Sequence, residues 1–207
     1  MPSEVDILER RRVHDGFFKL DILKLRHELF AGGMGEAVTR ELWVQRDAVA
    51  VLPYDPARDA VVLVEQFRTG ALGAPEGAWL VEGVAGLLDP GEAPEQTAAR
   101  EVREECGLEL GRLDLACVYF ASPGSTSERV HAYVGEVAAP AGGDGAGTRG
   151  GLATEHEDIL ARVVPYDEAA ALFRQGRITA SNTVIPLQHL MLHRDRLREA
   201  WRRPAGG

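Results

Sequence analysis

One acidic segment, residues 86–108, constrains the fold of this chain more than any other stretch. An apolar stripe with helical spacing predicts a helix over residues 93–106. Gly107 follows directly and is the residue type that most often ends a helix. The segment therefore predicts a loop, a helix and a second loop within about twenty residues.

Three glutamates of this predicted helix lie close enough to repel one another. Glu101 and Glu105 are four residues apart and share a face, and Glu104 is three residues from Glu101. Glu104 and Glu105 also lie in the last turn, where the helix carbonyls disfavour an anion by ~0.3–1 kcal/mol each. A solvated acidic face neutralised by Arg100 and Arg103 is the simple interpretation. Two unfavourable features at one place are also typical of a functional site, where a divalent cation would turn repulsion into attraction.

The remaining pattern predicts mostly short strands. Two strands are predicted within residues 5–30, around a turn at 14–16. Further strands are predicted over residues 37–44, 48–53, 60–66, 79–84, 113–120, 130–137 and 159–164. Two later helices are predicted over residues 166–175 and 183–201. Candidate buried positions near the start are Phe17, Leu20, Ile22 and Leu25. Residues 140–151 are Gly-rich and predict a loop. Many strands with few helices favour an α+β sandwich.

Composition excludes several classes of partner. The 207 residues suit one domain with at most a small appended subdomain, and 45% are hydrophobic, enough for a sizeable core. The net charge of −9 disfavours nucleic-acid binding through a basic surface. The sequence has no run of the ~18 apolar residues that a membrane span needs and no secretory signal near Met1. Cys106 and Cys117 could form one disulfide, but reduced thiols in a cytoplasmic protein are expected.

The whole of residues 86–108 matches one long motif. Its fixed positions are filled by Gly86, Glu92, Arg100, Glu101, Val102, Glu104, Glu105, Gly107 and Leu108. The segment resembles the Nudix box. The resemblance implies a Nudix-type α/β/α sandwich with a mixed sheet, and hydrolysis of a nucleoside diphosphate linked to another group.

The resemblance also implies a metal site. The implied oxygen ligands are Glu101 and Glu105, Glu104 directly or through water, and the carbonyl of Ala85. Arg100 would hold Glu92 and orient the glutamates. Oxygen ligands alone suit a hard cation, so Mg²⁺ is expected, with Mn²⁺ possible chemically.

The flanking residues resemble one branch of the family. Pro123 lies fifteen residues past Leu108, within the segment Ala121–Arg129, and this arrangement is similar to that of ADP-ribose pyrophosphatases. The resemblance covers nearly the whole chain. It implies an N-terminal β subdomain over residues 1–46, a Nudix hydrolase domain over 47–207, and a homodimer in which the N-terminal strands are swapped.

The same branch implies roles for six more residues. These are Glu155 as general base, Glu157 as a metal ligand, Arg68 and Glu128 for the diphosphate and terminal ribose, and Phe17 and Arg40 around adenine. Simpler interpretations exist: Phe17 as core, Arg40 as a surface residue, and Glu155 and Glu157 as solvated loop charges. His156 is expected to be exposed.

The expected function is Mg²⁺-dependent hydrolysis of ADP-ribose to AMP and ribose 5-phosphate. Hydrolysis of another nucleotide sugar such as GDP-mannose shares the motif and stays open. A Nudix reaction on dinucleoside polyphosphates or oxidised nucleotides fits residues 121–129 less well. A non-enzymatic module that binds a nucleotide sugar is disfavoured because all four motif glutamates are present.

Overall fold

The computed structural model describes residues 1–140, 147–152, 154 and 156–202. Contacts between Cα atoms divide the chain into two compact units. The first unit contains residues 1–47 and 120–129, and the second contains residues 48–119 and those from 130 onward. The segment 120–129, which carries Pro123 and Glu128, therefore groups with the N-terminal strands although it is distant in sequence.

The first unit is built on a three-stranded antiparallel sheet. Its strands are β1 (Val5–Asp15), β2 (Lys19–His27) and β3 (Val38–Val44), in the order β1-β2-β3. The predicted pair of N-terminal strands is thus confirmed. The predicted burial is wrong: Phe17 is 83% exposed, and Leu20, Ile22 and Leu25 are only partly buried. All eleven residues of β1 are exposed, because no layer of this unit covers them.

The second unit is built on a mixed sheet. Its strands are β4 (Ala48–Asp55), β5 (Ala60–Phe67), β6 (Trp79–Glu82), β7 (Val84–Leu87), β8 (Leu113–Phe120), β9 (Arg129–Glu136), β10 (Thr148–Gly150) and β11 (Ile159–Pro165). The order is β10-β11-β5-β4-β9-β8, with β6 paired to β5 and β7 paired to β4. β4 runs parallel to β9 and antiparallel to β5 and β7. The predicted hairpin of β4 and β5 is confirmed.

Helices cover both faces of this sheet. They are α1 (Pro94–Cys106), α2 (Tyr166–Arg174) and α3 (Ser181–Arg202), and a short 3₁₀ helix spans Thr69–Ala71. One apolar core joins α1 to the sheet, and a second joins α2 and α3 to its other face. Every residue of β4 is buried because the strand lies between these two cores. The α+β sandwich predicted from the sequence is therefore the observed architecture.

Two details differ from the sequence predictions. The single strand predicted over 79–84 is two strands, broken at Gly83. A side chain there is excluded, since a Cβ on Gly83 would lie 2.8 Å from the carbonyl oxygen of Val51. The loop predicted over 140–151 contains β10, which pairs with β11, and residues 141–146 lie outside the described part.

Candidate active site

Helix α1 has clear start and stop signals. Pro94 occupies its first turn, and the Ala93 amide donates a 2.9 Å hydrogen bond to Oε1 of Gln96. At the other end Gly107 adopts a left-handed conformation with φ of 66°, and its amide donates to the carbonyl of Arg103. These signals fix the register of the helix, so the acidic residues of its last two turns lie at defined places.

Glu101 lies against strand β7. A Cβ on Gly86 would lie 1.8 Å from Oε1 of Glu101, so only glycine leaves room for this carboxylate. Burial is the main cause that raises the pKa of Glu101 to about 7, and the neighbouring Glu104 and Glu157 add to the rise. The glycine of the motif is therefore required by close approach to an acidic side chain.

Glu105 is the most deeply buried carboxylate of the cluster. It is 3% exposed, and its Oε2 is a buried atom with no hydrogen-bond partner among the described residues. Burial, and then the charge of Glu101, raise its pKa well above the usual value, while a hydrogen bond from the Ala85 backbone opposes the rise. A buried oxygen without a partner costs free energy unless it serves a ligand.

Arg100 connects the other acidic groups of the motif. Its guanidinium donates to Glu92 at 3.1 Å, to Glu101 at 2.7 Å and to Glu104 at 3.1 Å. Hydrogen bonds from Arg100, and then from Thr97, lower the pKa of Glu92 to about 2. Arg100 thus contacts Glu92, as the motif implies. Thr97 is an additional partner, because its hydroxyl donates a 2.8 Å hydrogen bond to Glu92.

Residues 150 and 151 lie against the C-terminal end of α1. The Gly151 amide donates to the Glu104 carbonyl at 3.0 Å, and a Cβ on Gly150 would lie 1.9 Å from the carbonyl oxygen of Glu105. Glu157 accepts a 3.1 Å hydrogen bond from the Leu152 amide. Its charge raises the pKa of both Glu101 and Glu105, so Glu157 lies within electrostatic range of these two carboxylates.

Two predictions concern the same segment. His156 is exposed, as expected, and has a positive φ of 58°. Glu155, the expected general base, lies outside the described residues. Its role therefore stays a prediction.

Arg68 is a cation whose charge acts on Glu105. It lies just past the end of β5, and its charge lowers the pKa of Glu105. Its Nε donates a 2.7 Å hydrogen bond to Oε2 of Glu82, which is 2% exposed. Glu82 was not among the predicted site residues, because a single acidic residue at the end of an apolar strand has no spacing that indicates its partner.

The carboxylate cluster fits a hard divalent cation in chemistry. Its donors are all oxygens, and Oε2 of Glu105 is buried without a partner. Within the described ranges, no three Asp, Glu, His or Cys side chains are already grouped as ligands. Arg100 instead bridges Glu101 and Glu104, so binding of a cation there would require this arginine to release them.

The three remaining predicted residues belong to the first unit. Phe17 is exposed and makes an edge-to-face contact with Phe18 at 4.9 Å between ring centroids. Arg40 is exposed and donates to the carbonyl of Thr39. Burial, and then the charge of Asp47, raise the pKa of Glu128. Phe17 is therefore a surface aromatic ring in the single chain rather than a core residue.

No helix in the described part of the chain is long and apolar enough to cross a membrane.

Comparison with known proteins identifies the family. The model of the NUDIX domain matches residues 44–183, which is more than half of the chain. The chain belongs to the NUDIX family. The membership predicted from residues 86–108 is thereby confirmed.

Several NUDIX relatives match nearly the whole length. An ADP-ribose pyrophosphatase of Escherichia coli K12 is 42% identical over 199 residues, covering 96% of this chain and 93% of that protein. One from Haemophilus influenzae Rd is 40% identical over 206 residues, covering 97% and 92%. A GDP-mannose pyrophosphatase of Pectobacterium atrosepticum is 31% identical over 193 residues, covering 93% and 96%.

A solved structure supports the NUDIX fold. A crystal structure described as an ADP compounds hydrolase superposes with a TM-score of 0.69 at 21% identity. The match covers 97% of this chain and 98% of that one.

Proposed function

We propose that this NUDIX chain hydrolyses the pyrophosphate bond of ADP-ribose to AMP and ribose 5-phosphate. The observation that carries the proposal is Glu105, which is 3% exposed and whose Oε2 has no hydrogen-bond partner among the described residues, on the same helix face as Glu101. The charge of Arg68 acts on this carboxylate. Relatives named ADP-ribose pyrophosphatase at 40–42% identity over nearly the whole chain support this substrate over GDP-mannose, whose named relatives are 29–36% identical.

We further propose Mg²⁺ as the cation, with Glu101, Glu105, Glu157 and the Ala85 carbonyl as ligands and Glu104 as a direct or water-mediated one. A bound cation of this type neutralises charge on the pyrophosphate oxygens and makes a bound water more acidic. Arg100 would have to release Glu101 and Glu104 for these carboxylates to hold the cation, and it could keep its bond to Glu92. Mn²⁺ is the alternative ion, since both prefer oxygen ligands.

The chain's own groups supply orientation and proton transfer. Arg68 binds the diphosphate. This role is supported by the charge of Arg68, which lowers the pKa of Glu105. Glu155 takes the proton of the attacking water, an assignment that follows the family resemblance alone. Glu155→Gln is expected to lower kcat much more than it raises KM, whereas the reverse pattern would make Glu155 a binding residue.

Phe17, Arg40 and Glu128 are proposed as the adenine and ribose contacts. The exposure of Phe17 leaves a ring face free for stacking. In the swapped dimer that the resemblance implies, a partner subunit supplies Phe17 and Arg40. A cytoplasmic location is proposed from the two free cysteines, of which Cys106 is buried.

A substrate panel tests the proposal. ADP-ribose, GDP-mannose, ADP-glucose, NADH, a dinucleoside tetraphosphate and 8-oxo-dGTP are each incubated with Mg²⁺, with Mn²⁺ and with chelator, and products are separated by chromatography. ADP-ribose is expected to lead by about tenfold or more in kcat/KM, and chelator is expected to stop turnover. A lead for GDP-mannose would overturn the substrate, and no turnover at all would favour a binding module.

A further inference from the structure

A buried carboxylate fixes the direction of Arg68. Glu82 is the last residue of β6 and is 2% exposed, whereas the side chain of Arg68 is 38% exposed. Oε2 of Glu82 accepts the 2.7 Å hydrogen bond from Nε of Arg68. Among the described residues, the guanidinium of Arg68 donates this hydrogen bond through its Nε–H alone. Both of its terminal amino groups therefore stay available to a ligand.

The first turn of α3 holds Glu82 in place. The Gly83 amide, directly after Glu82, donates a 2.8 Å hydrogen bond to the buried hydroxyl of Thr183. That hydroxyl donates in turn to Oδ1 of Asn182 at 3.0 Å, which directs the Asn182 amide group towards Oε1 of Glu82 at 3.5 Å. The carboxylate is therefore confined both through its own peptide and through its second oxygen.

Such an arrangement has a defined use at a phosphate site. A free arginine side chain loses rotamer freedom when it binds an anion, and a side chain already held in its binding direction loses less. A carboxylate bonded at Nε leaves the two terminal amino groups directed outward, in the fork that matches phosphate oxygens. The charge of Arg68 lowers the pKa of Glu105, so the held guanidinium lies within electrostatic range of the carboxylate cluster.

We propose that Glu82 is a positioning residue that holds the Arg68 guanidinium in the direction in which it receives the diphosphate of the substrate, with Thr183 and Asn182 holding Glu82 itself. The inference rests on the proposed function for the role of Arg68. A purely structural ion pair between Glu82 and Arg68 is the competing interpretation. In that case the loss of Glu82 would lower the stability of the fold but would not change how Arg68 binds the substrate.

A double-mutant cycle distinguishes the two interpretations. Glu82→Gln, Arg68→Ala and the double variant are compared with wild type for kcat/KM on the best substrate of the panel, and for equilibrium binding of ADP-ribose by calorimetry in chelator. Glu82→Gln is expected to lower kcat/KM by about 10- to 100-fold, mainly through KM, as residues that orient a binding group do. In the Arg68→Ala background the same change is expected to have almost no further effect.

The matched control is Glu136→Gln. Glu136 also accepts hydrogen bonds from an arginine, Arg112, at 2.7 Å and 2.6 Å, and it has no contact with the carboxylate cluster among those described. The kcat/KM of the Glu136→Gln variant is expected to stay within about twofold of wild type, since the pair of Glu136 and Arg112 lies outside the binding machinery. If Glu82→Gln does not fold, Glu82→Asp keeps the buried charge and withdraws it from Arg68, and the cycle is repeated with that variant.

Each outcome has one meaning. Losses that multiply in the double variant, or a Glu82→Gln protein with wild-type kcat/KM and affinity, would overturn the positioning role. A wild type that binds ADP-ribose but hydrolyses nothing in the panel would overturn the proposed function, and the cycle would then be decided on the dissociation constants. Non-additive losses in either quantity support the inference.

Discussion

At the scale of single residues, Glu105 combines deep burial with an oxygen that lacks a hydrogen-bond partner among the described residues. Such an atom is rare in native proteins and is expected to be satisfied by a ligand. Glu105→Gln keeps the shape of the side chain and removes its charge. The variant is expected to fold normally and to lose at least ~10³-fold in kcat, because the proposed cation would lose a charged ligand.

The control for Glu105→Gln is Glu109→Gln. Glu109 is exposed and pairs with Arg103 at 3.0 Å, three residues beyond the helix end. Its substitution is expected to leave turnover within about twofold of wild type. Circular dichroism verifies the fold of both proteins. A Glu105→Gln enzyme that kept more than about a tenth of wild-type turnover would contradict the metal assignment.

Gly86 gives a second prediction at this scale. Gly86→Ala places a methyl group where Oε1 of Glu101 now lies, at 1.8 Å, so the carboxylate must move. Turnover is expected to fall by about 10²-fold, since small displacements of catalytic groups have effects of that size. Steady-state kinetics measure it. Gly73→Ala is the matched control, because a Cβ there meets no atom within 4 Å; equal losses in both variants would disprove the steric argument.

Local spacing explains which site residues were predictable. Glu101, Glu104 and Glu105 share one helix, so their mutual placement follows from helical geometry alone. Glu82 approaches Arg68 across fourteen residues, and Asn182 approaches Glu82 across a hundred. Contacts of that kind depend on how strands and helices pack, and nothing in the local sequence indicates them.

At the scale of elements, the β4–β5 turn is fixed to α3 by Asp59. Its carboxylate accepts hydrogen bonds from Arg194 at 2.8 Å and from the Tyr54 hydroxyl at 2.7 Å, and Arg198 lies 3.3 Å away. The bond from Arg194 is the main cause that lowers the pKa of Asp59. Asp59 also has a positive φ of 56°, a conformation that asparagine tolerates well.

Asp59→Asn is therefore expected to weaken the fold in a pH-dependent way. A carboxyl group with a lowered folded-state pKa stabilises the protein above its unfolded pKa of about 3.9, and this stability is lost as the pH falls below it. The variant is expected to be about 1–3 kcal/mol less stable at pH 7, and the difference is expected to shrink towards pH 3. Urea unfolding at several pH values measures both quantities.

The control is Asp6→Asn on the surface of the first unit. Asp6 pairs with Arg26, and both side chains are about half exposed, at 49% and 47%. Such exposed pairs contribute about 0–1 kcal/mol, so little change is expected. A constant stability difference for Asp59→Asn across the pH range would show that the carboxylate charge is not what fixes the turn.

At this scale, elements fixed by local signals were predicted, and elements that depend on pairing between distant strands were not. The helix over 94–106 and the hairpin of β4 and β5 were predicted because caps, turns and periodicity are local signals. The break at Gly83 was missed, since it depends on the close approach of β4. β10 was missed because only its pairing with β11 makes the Gly-rich stretch a strand.

At the scale of the whole molecule, the first unit leaves much apolar surface open. β1 exposes Val5 and Ile7 at 57% and 59%, and the loops after β1 and β2 expose Phe17 and Phe30 at 83% and 95%. Apolar groups concentrated in one small unit are typical of a surface that another chain covers. Phe17, a candidate buried position in the sequence, is exposed because no described residue of the first unit covers its ring.

A dimer is the expected state in solution. Light scattering after size exclusion is expected to give twice the 22.5 kDa mass of the chain. Ile7→Lys is expected to shift the equilibrium towards monomer, because a charge would replace an apolar side chain at the proposed interface. Leu192→Lys is the control, since Leu192 is 79% exposed on α3 in the other unit. A wild-type mass of one chain would remove the dimer proposal.

The bond from the Gly151 amide to the Glu104 carbonyl gives the site a built-in reporter. A hydrogen-bonded amide proton exchanges with deuterium only when the bond opens. The exchange rate of the Gly151 amide therefore reports how often Gly151, six residues before Glu157, separates from the end of α1. Nuclear magnetic resonance can follow that proton with no substrate present, and a bound cation or nucleotide would register as slower exchange.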